Sequence, residues 1–565
     1  MRKSVMAILL LLVGCGLWAQ STGTRADDHK KQSSPTVDEL KQMLAAQQAE
    51  IEKLRQAVDD LKAAKEEQPH APSLGTVAST APMLPAGKAP EPKLPSVFIN
   101  NAAQDTSKPE NPTSLRYKGV TITPVGFLAA EGVWRQHALL SDVNTPFNST
   151  PYAGADQAHI NDLFFSGRQS RLGVLVEGKL SMVKLSGYYE TDWLSAGVTS
   201  NNNQSNSYTN RQRQIWGQAA LDNGWTFTGG QMWSLATETK KGLDNRTEAL
   251  PMTIDAQYHV GFSWERQFGF RVTKNFNNKA WLGMSVENPQ DIFTAHGNAT
   301  NFDLGGPGTG GGLYNLNANY SFNKTPDFIF KTAFEPGWGH YELFGILSTF
   351  QDRVYPNATA TPASAAGAFN STKTGGGMGA NFRGTIAKHL DIGAHFLAGD
   401  GIDRYGTSTL PDATVHPDGT LALVHGYMGL ATVEYHTPKW DWYWNLGTEY
   451  AARTWYLNAA GKPVGYGAPG FTNSGCATEV LPGGGNGFTP GAAASCTGDT
   501  KDLVEGSMGF WYKWYVGAWG RLQWGLQGSY IRRTGWPGAG ATAGTFVTPR
   551  ADEPMVFASF RYYIP

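Results

Sequence analysis

Apolar and polar residues alternate one by one through most of the chain. Val183, Leu185, Tyr189 and Trp193 interleave with Lys184, Ser186, Tyr188, Glu190 and Asp192. Trp440, Trp442, Trp444, Leu446 and Tyr450 interleave with Asp441, Tyr443, Asn445 and Glu449. Leu522, Trp524, Leu526 and Tyr530 interleave with Arg521, Gln523, Gln527 and Ser529. A period of two is the signature of strands with one apolar and one polar face. It predicts strands near 117–134, 163–178, 180–193, 211–221, 225–233, 261–276, 279–288 and 326–335. It predicts eight more near 339–350, 375–388, 390–399, 421–435, 439–452, 503–516, 519–533 and 551–563.

The connections between these strands alternate in length. Short turns fall at 179, 222–224, 277–278, 336–338, 389, 436–438 and 517–518. Long loops fall at 135–162, 194–210, 234–260, 289–325, 351–374, 400–420, 453–502 and 534–550. In an up-and-down barrel every second connection lies on the same rim, so all the long loops share one rim. That asymmetry marks outer-membrane barrels. The expected fold is therefore an all-β transmembrane barrel of about 16 antiparallel strands over residues 115–565. Tyr314–Phe322 also alternates, but a strand there would break the rhythm, so it is assigned to a loop. A soluble sandwich or propeller explains the alternation and not the rhythm, and no blade-like repeat is present.

The N-terminal fifth follows other patterns. Arg2 and Lys3, then the apolar run Met6 to Val13 and Ala19, read as an export signal over 1–19. A lipoprotein signal is the alternative, because Leu12-Val13-Gly14-Cys15 resembles a lipobox. Leu17 and Trp18 extend the apolar run past Cys15 and favour ordinary cleavage. A polar stretch, 20–35, precedes a heptad pattern over 36–67. Val37, Leu40, Leu44, Ile51, Leu54, Val58 and Leu61 occupy a and d positions there, with Gln47 at one d. About four heptads predict a short α-helical coiled coil on the periplasmic side. A lone amphipathic helix is the rival, although a helix that short gains little without partner chains. Residues 68–114, rich in Pro and Ala, read as an extended linker.

Composition sharpens this picture. Of 565 residues only 16% are charged while 12% are aromatic, and Gly numbers 67, which suits aromatic strands and flexible loops. The net charge of −1 leaves no basic face for nucleic acid. Beyond Cys15 only Cys476 and Cys496 remain, and an exported loop can hold them as a disulfide. A barrel of this size encloses an aqueous channel whose inward side chains set selectivity. The polar strand faces place Arg171, Lys184, Arg213, Arg271, Arg383, His395, Lys513, Arg521 and Arg561 in the lumen. The lumen acids on the same reading are Glu177, Glu190, Asp192, Asp391, Asp441 and Glu449. For any single arginine, a wall salt bridge is the competing role. The loop 234–260 carries Glu238, Lys240, Lys241, Asp244, Arg246, Glu248 and Asp255 and could fold inward or outward. No His-Glu-x-x-His, nucleophile elbow or phosphate loop occurs, so no enzymatic activity, metal or cofactor is expected.

The order of signal, coiled coil, Pro-rich linker and barrel resembles the DcaP-like trimeric porins. Ser170-Arg171-Leu172-Gly173 looks like the porin motif opening the second strand. Trp225 to Trp233 followed by a polar loop looks like that family's fifth strand and constriction loop, and Trp264-Glu265-Arg266-Gln267 is similar to the start of its sixth. Val556 to Tyr563 looks like a barrel-assembly signal, although the chain ends Ile564-Pro565 and its 453–502 loop is long. The resemblance implies a homotrimer in outer-membrane lipid that passes small anionic or polar solutes, dicarboxylates among them. Two other roles compete: an envelope tether whose coiled coil grips peptidoglycan, and a sugar-selective barrel. The Trp440–Trp444 run, placed on the lipid face by alternation, weighs against the latter.

Overall fold

The computed structural model describes residues 114–195, 208–297, 301–307, 319–479, 481 and 495–565. The export signal, the polar stretch, the coiled coil and nearly all of the linker lie outside the described residues. Sixteen antiparallel strands form the wall. They are β1 (Val120–Arg135), β2 (Arg171–Leu180), β3 (Val183–Ser195), β4 (Thr209–Leu221), β5 (Trp225–Trp233) and β6 (Arg266–Phe276). Then come β7 (Ala280–Glu287), β8 (Asp327–Phe334), β9 (His340–Val354), β10 (Phe369–Ala387) and β11 (Leu390–Asp400). The last five are β12 (His425–His436), β13 (Trp440–Ala451), β14 (Thr500–Gly517), β15 (Gly520–Gly535) and β16 (Arg550–Tyr563). Each pairs with its sequence neighbours, and β16 returns to β1 with Phe127 opposite Tyr563 and Arg135 opposite Met555. The sheet is therefore closed, which removes every free edge.

Closure is reinforced from inside. Glu131 of β1 accepts Nη2 of Arg561 at 2.6 Å and Oγ of Ser559 at 2.8 Å across the seam. Alternation sorts the two faces as the sequence predicts. In β13, Asp441, Tyr443, Asn445 and Glu449 are buried inward while Trp444 and Leu446 are exposed outward. The outer face carries Phe268, Phe270, Leu343, Leu347, Phe396 and many similar side chains, an apolar surface of the kind that faces lipid.

Where boundaries differ, a local bond explains it. The predicted strand 163–178 is broken: Asp162–Ser166 pairs with the loop-side half of β1, and β2 starts only at Arg171. Between them the Ser170 hydroxyl accepts the Ala129 N–H at 2.9 Å. The turn expected at 179 falls at 181–182, where Ser181 takes a φ of 52°. The strand expected from 261 starts at Arg266, because Gly261 (φ +87°) is held by the opposite wall. The strand expected from 375 starts at Phe369, and the one expected from 421 starts at His425, with Leu421–Leu423 pairing instead to Ala413–Val415. Asn319–Ser321 pairs with Gly305–Pro307 inside its loop and joins no barrel strand.

Seven turns of two to five residues share one rim and eight long connections share the other. In the connection between β13 and β14, Cys476 and Cys496 form a disulfide with Cα atoms 4.7 Å apart. It packs on Tyr152 and Ala551, tying that loop to its neighbours. Peptide mapping without reductant should recover the cross-linked pair. Replacing both cysteines by Ser should leave the barrel folded while exposing the loop to protease, since a closure of this size contributes about 3 kcal/mol. Equal protease resistance in the two proteins would mean the loop is held by packing alone.

Candidate functional site

A loop that leaves a barrel strand must satisfy its backbone N–H groups, and where it packs against the wall those groups need acceptors from the wall. The loop between β5 and β6 spans residues 234–265 and folds inward. The wall supplies acceptors for it. Glu287 takes the Leu235 N–H at 2.8 Å, Glu342 that of Thr239 at 3.1 Å and Glu335 that of Gly242 at 2.7 Å. Across the barrel, Gln527 takes the Ile254 N–H at 2.6 Å, Glu505 that of Val260 at 2.9 Å and Glu449 that of Gly261 at 2.8 Å. Donors return the contact: Lys331 Nζ to the Thr237 carbonyl at 2.7 Å, Asn445 Nδ2 to the Met252 carbonyl at 2.9 Å. Close approach also needs room. A Cβ on Gly447 would overlap the Val260 carbonyl, so at that point the loop backbone comes close only because the wall has no side chain there.

A second long connection is also buried. Between β11 and β12, Tyr405, Leu410 and Val415 are fully inaccessible. Arg404 pairs with Asp327 at 2.5 Å and Glu265 at 3.4 Å, and the Thr407 hydroxyl donates to the His259 carbonyl at 2.7 Å. Leu235 and Ala236 of the first inward loop share an apolar cluster with Ile402 and Tyr405. Two inward loops thus brace each other. Sequence periodicity gave no signal for the second one, because its residues follow neither period two nor 3.6.

The sequence-predicted wall cations are bonded rather than free. Arg213 lies between Glu190 and Asp192, both at 2.7 Å. Arg171 is 3.9 Å from Glu190, and Lys184 pairs with Glu177 at 2.6 Å. Arg271 donates to Asn245 at 2.7 Å and to the Trp233 carbonyl, both at the inward loop. Arg383 pairs with Glu238 at 3.1 Å and Glu434 at 3.6 Å. Lys513 pairs with Asp441 at 2.7 Å, Arg561 with Glu131, and Arg521 lies over the Tyr563 ring at 4.0 Å. His395 is buried against Asn381 and Phe344. The sequence-read lumen set, nine cations counting His395 against six acids, leaves out several acids. Glu131, Glu287, Asp327, Glu342, Glu434, Glu505 and Glu553 are also buried. They sit in stretches where short apolar runs obscure the alternation. Lys331 was missed for the same reason.

The tip of the inward loop differs. Lys240, Lys241, Asp244 and Arg246 are exposed, and Lys240, Lys241 and Arg246 make no salt bridge among the described residues. Arg246 lies over the Tyr188 ring at 4.9 Å. Glu248 is partly buried and accepts the Arg246 N–H at 3.2 Å. Lys240 and Lys241 border a cavity of about 560 Å³ whose other walls include Arg383, Asp391, Glu434 and His436. Glu335 to Gly339 and His436 place it at the short-turn rim.

Deeper in the loop, charge is suppressed. Burial pushes the Asp255 carboxyl up to about 7 and the neighbouring His259 imidazole down to about 4. Asp255 accepts the Thr145 and Gln257 N–H groups at 3.2 and 2.8 Å, so the protonated acid still ties two loops together.

Two predictions follow from this geometry. Lys331 and Glu342 form a fully buried pair at 2.7 Å. Lys331→Met should therefore cost about 3–5 kcal/mol by stranding the carboxylate. Lys331→Met with Glu342→Gln should recover much of that loss in the thermal transition; no recovery would show that the Thr237 contact, not the charge, is what matters. The Asp255 carboxyl is raised above its free value, so the seated loop keeps a proton that a released loop gives up. Its contribution is full below about pH 4 and declines as pH rises toward 7. Loop-opening events in single-channel records should grow across that window, and Asp255→Asn should flatten the trend.

No family model and no curated protein sequence matches the chain. Solved structures do. The outer-membrane channel DcaP of Acinetobacter baumannii aligns over 80% of this chain and 100% of its own, with a TM-score of 0.52 at 12% identity. The anion-selective porin of Comamonas acidovorans covers 80% of this chain and 100% of its own, at TM-score 0.40 and 8% identity. OprB of Pseudomonas putida covers 78% and 94%, at TM-score 0.40 and 12% identity. The sixteen-strand closure with its long and short rims is thus a fold that this chain shares with the outer-membrane channel DcaP.

Proposed function

We propose that the chain is an outer-membrane porin through which small hydrophilic solutes diffuse passively, with a preference for anions. The observation that carries the preference is the exposed tip of the inward loop. Lys240, Lys241 and Arg246 stand there without salt-bridge partners among the described residues, whereas the predicted wall cations other than Arg271 and Arg521 are paired with carboxylates or, for His395, with Asn381. Unpaired charge in a narrow, low-dielectric passage acts on a passing ion far more than a paired one does. Asp244 beside them offsets part of that field. Arg171, Lys184, Arg213, Arg271, Arg383, Lys513 and Arg561 shape the passage mainly by holding the wall acids and the loop, and Arg521 stacks on Tyr563. Glu238, Lys240, Lys241, Asp244, Arg246 and Glu248 form the constriction.

The resemblance to DcaP-like porins adds dicarboxylates as solutes and a homotrimer as the assembly. On this reading the domains are the signal 1–19, the polar stretch 20–35, the periplasmic coiled coil 36–67, the linker 68–114 and the barrel 115–565. The coiled coil then helps set the oligomer while the barrel spans the membrane.

The test is conductance in planar bilayers with reversal potentials in a salt gradient. Lys240→Gln, Lys241→Gln and Arg246→Gln combined should keep the pore open and move the reversal potential toward cations. Charges more than about 8–10 Å apart are screened at physiological salt, so the shift should be largest at low ionic strength. An unchanged reversal potential in the folded triple variant would place the selectivity elsewhere. Absent conductance in the parent protein would sink the porin reading itself.

A further inference from the structure

The outer wall, which should be evenly apolar, is not even. Strand register puts outward residues in lateral rows. In one row Lys274, Leu282, Thr332 and Leu343 lie side by side on β6 to β9. In the next, Val272, Met284, Phe330, Gly345 and Met378 lie side by side on β6 to β10. Thr332 and Gly345 are the small members, and they occur on neighbouring strands. Around them Leu282, Phe330, Leu343 and Met378 stand out, each more than half exposed. The result is a trough of about 840 Å³ in the outer face.

One corner of the trough is charged. Lys274 sits at its short-turn end, between the rings of Trp225 at 5.4 Å and Phe276 at 5.7 Å. Its ammonium donates to the Asn223 carbonyl in the adjacent turn at 2.5 Å, so the charge is drawn to the rim, away from the apolar band. Among the described residues no carboxylate pairs with it. A lysine that crosses an apolar band to its edge and is flanked by aromatics marks a membrane–water interface.

We propose that this trough binds one acyl chain of a glycerophospholipid from the short-turn leaflet, with the lipid's phosphate on Lys274. The apolar floor and rim fit a hydrocarbon chain, and the unpaired ammonium at the rim fits the phosphate and favours an anionic headgroup. Nothing polar inside the trough competes, since the Thr332 hydroxyl already points to the Leu343 carbonyl. The proposal rests on the reading of the chain as a membrane barrel, and not on its conducting.

The test uses the full chain in detergent, titrated with phosphatidylglycerol or phosphatidylcholine and read by native mass spectrometry. The parent should retain a lipid, phosphatidylglycerol more strongly. Lys274→Gln should cut that headgroup preference about five-fold, the worth of one lysine near an anionic surface. Gly345→Leu should abolish retention of both lipids by filling the trough. A Cβ there meets nothing closer than 3.8 Å and its φ is not positive, so the barrel should fold. Thr332→Phe fills the same space and serves as the second variant. Equal retention by the parent and both filled variants would reduce the bound lipid to ordinary annular lipid and overturn the proposal. Protection of the trough between copies of the chain, with no lipid retained, would overturn it too. Conductance measured on the same samples keeps the two readings apart: lipid binding can fail in a conducting pore, and a closed barrel can still hold the lipid.

Discussion

The structure depends on one exchange: wall carboxylates accept the backbone N–H groups of a loop folded into the lumen. A peptide N–H buried without a partner costs about 1–3 kcal/mol, so an inward loop with no acceptors would be expelled. Here Glu287, Glu342, Glu449 and Glu505 on strands, with Glu335 in a turn and Gln527, serve that need from opposite sides of the barrel. Five of the six are acids. An ionised or shared carboxylate accepts more strongly than a neutral amide, and it can serve two or three donors at once. Glu449 does so, taking the Gly261 and Ser408 N–H groups.

That arrangement explains the other oddities of the interior. Buried acids demand compensation, and Lys331 beside Glu342 supplies it at one place. Elsewhere compensation comes from the loop's own backbone and from protonation, as the raised Asp255 carboxyl shows. Glycines in the wall mark where the loop backbone must come close. The second inward loop completes the seat, because the Ser408 N–H takes up remaining capacity of Glu449 while the Thr407 hydroxyl bonds the first loop at His259. Without the carboxylates, most of these loop N–H groups would lose their acceptors, and the shared apolar cluster would have to offset that loss.

Much of the wall was legible in the sequence. Alternation located all sixteen strands, because a side chain facing lipid and one facing water must differ in polarity whatever else the protein does. Rim asymmetry followed from loop lengths alone. The inward faces were legible only where polar residues recur without interruption, as in β3 and β13. In β8 the inward set is Asp327, Ile329, Lys331 and Ala333, half of it apolar because Ile329 packs with Leu235 and Ala333 with Leu243, so period two is lost where a loop is seated. The interior loops were illegible for a deeper reason. Their placement is decided by partners hundreds of residues away, such as Val260 with Glu505, and no local pattern encodes such a pairing.

The same physics bears on how selectivity can arise. A wall cation paired with a buried carboxylate is a dipole, and its field falls off faster than that of a lone charge. Arg213 between Glu190 and Asp192 is therefore a structural rivet whose net effect on a distant ion is small. The loop-tip cations escape this cancellation in that none of Lys240, Lys241 and Arg246 forms a salt bridge among the described residues. Lys240 and Lys241 lie at the short-turn mouth, opposite Asp391 and Glu434, which His436 and Arg383 already engage. Paired cations in the wall and unpaired cations at the tip thus divide the work: the wall's pairs help hold the loop, and under the proposed function the tip presents its own charges to the solute.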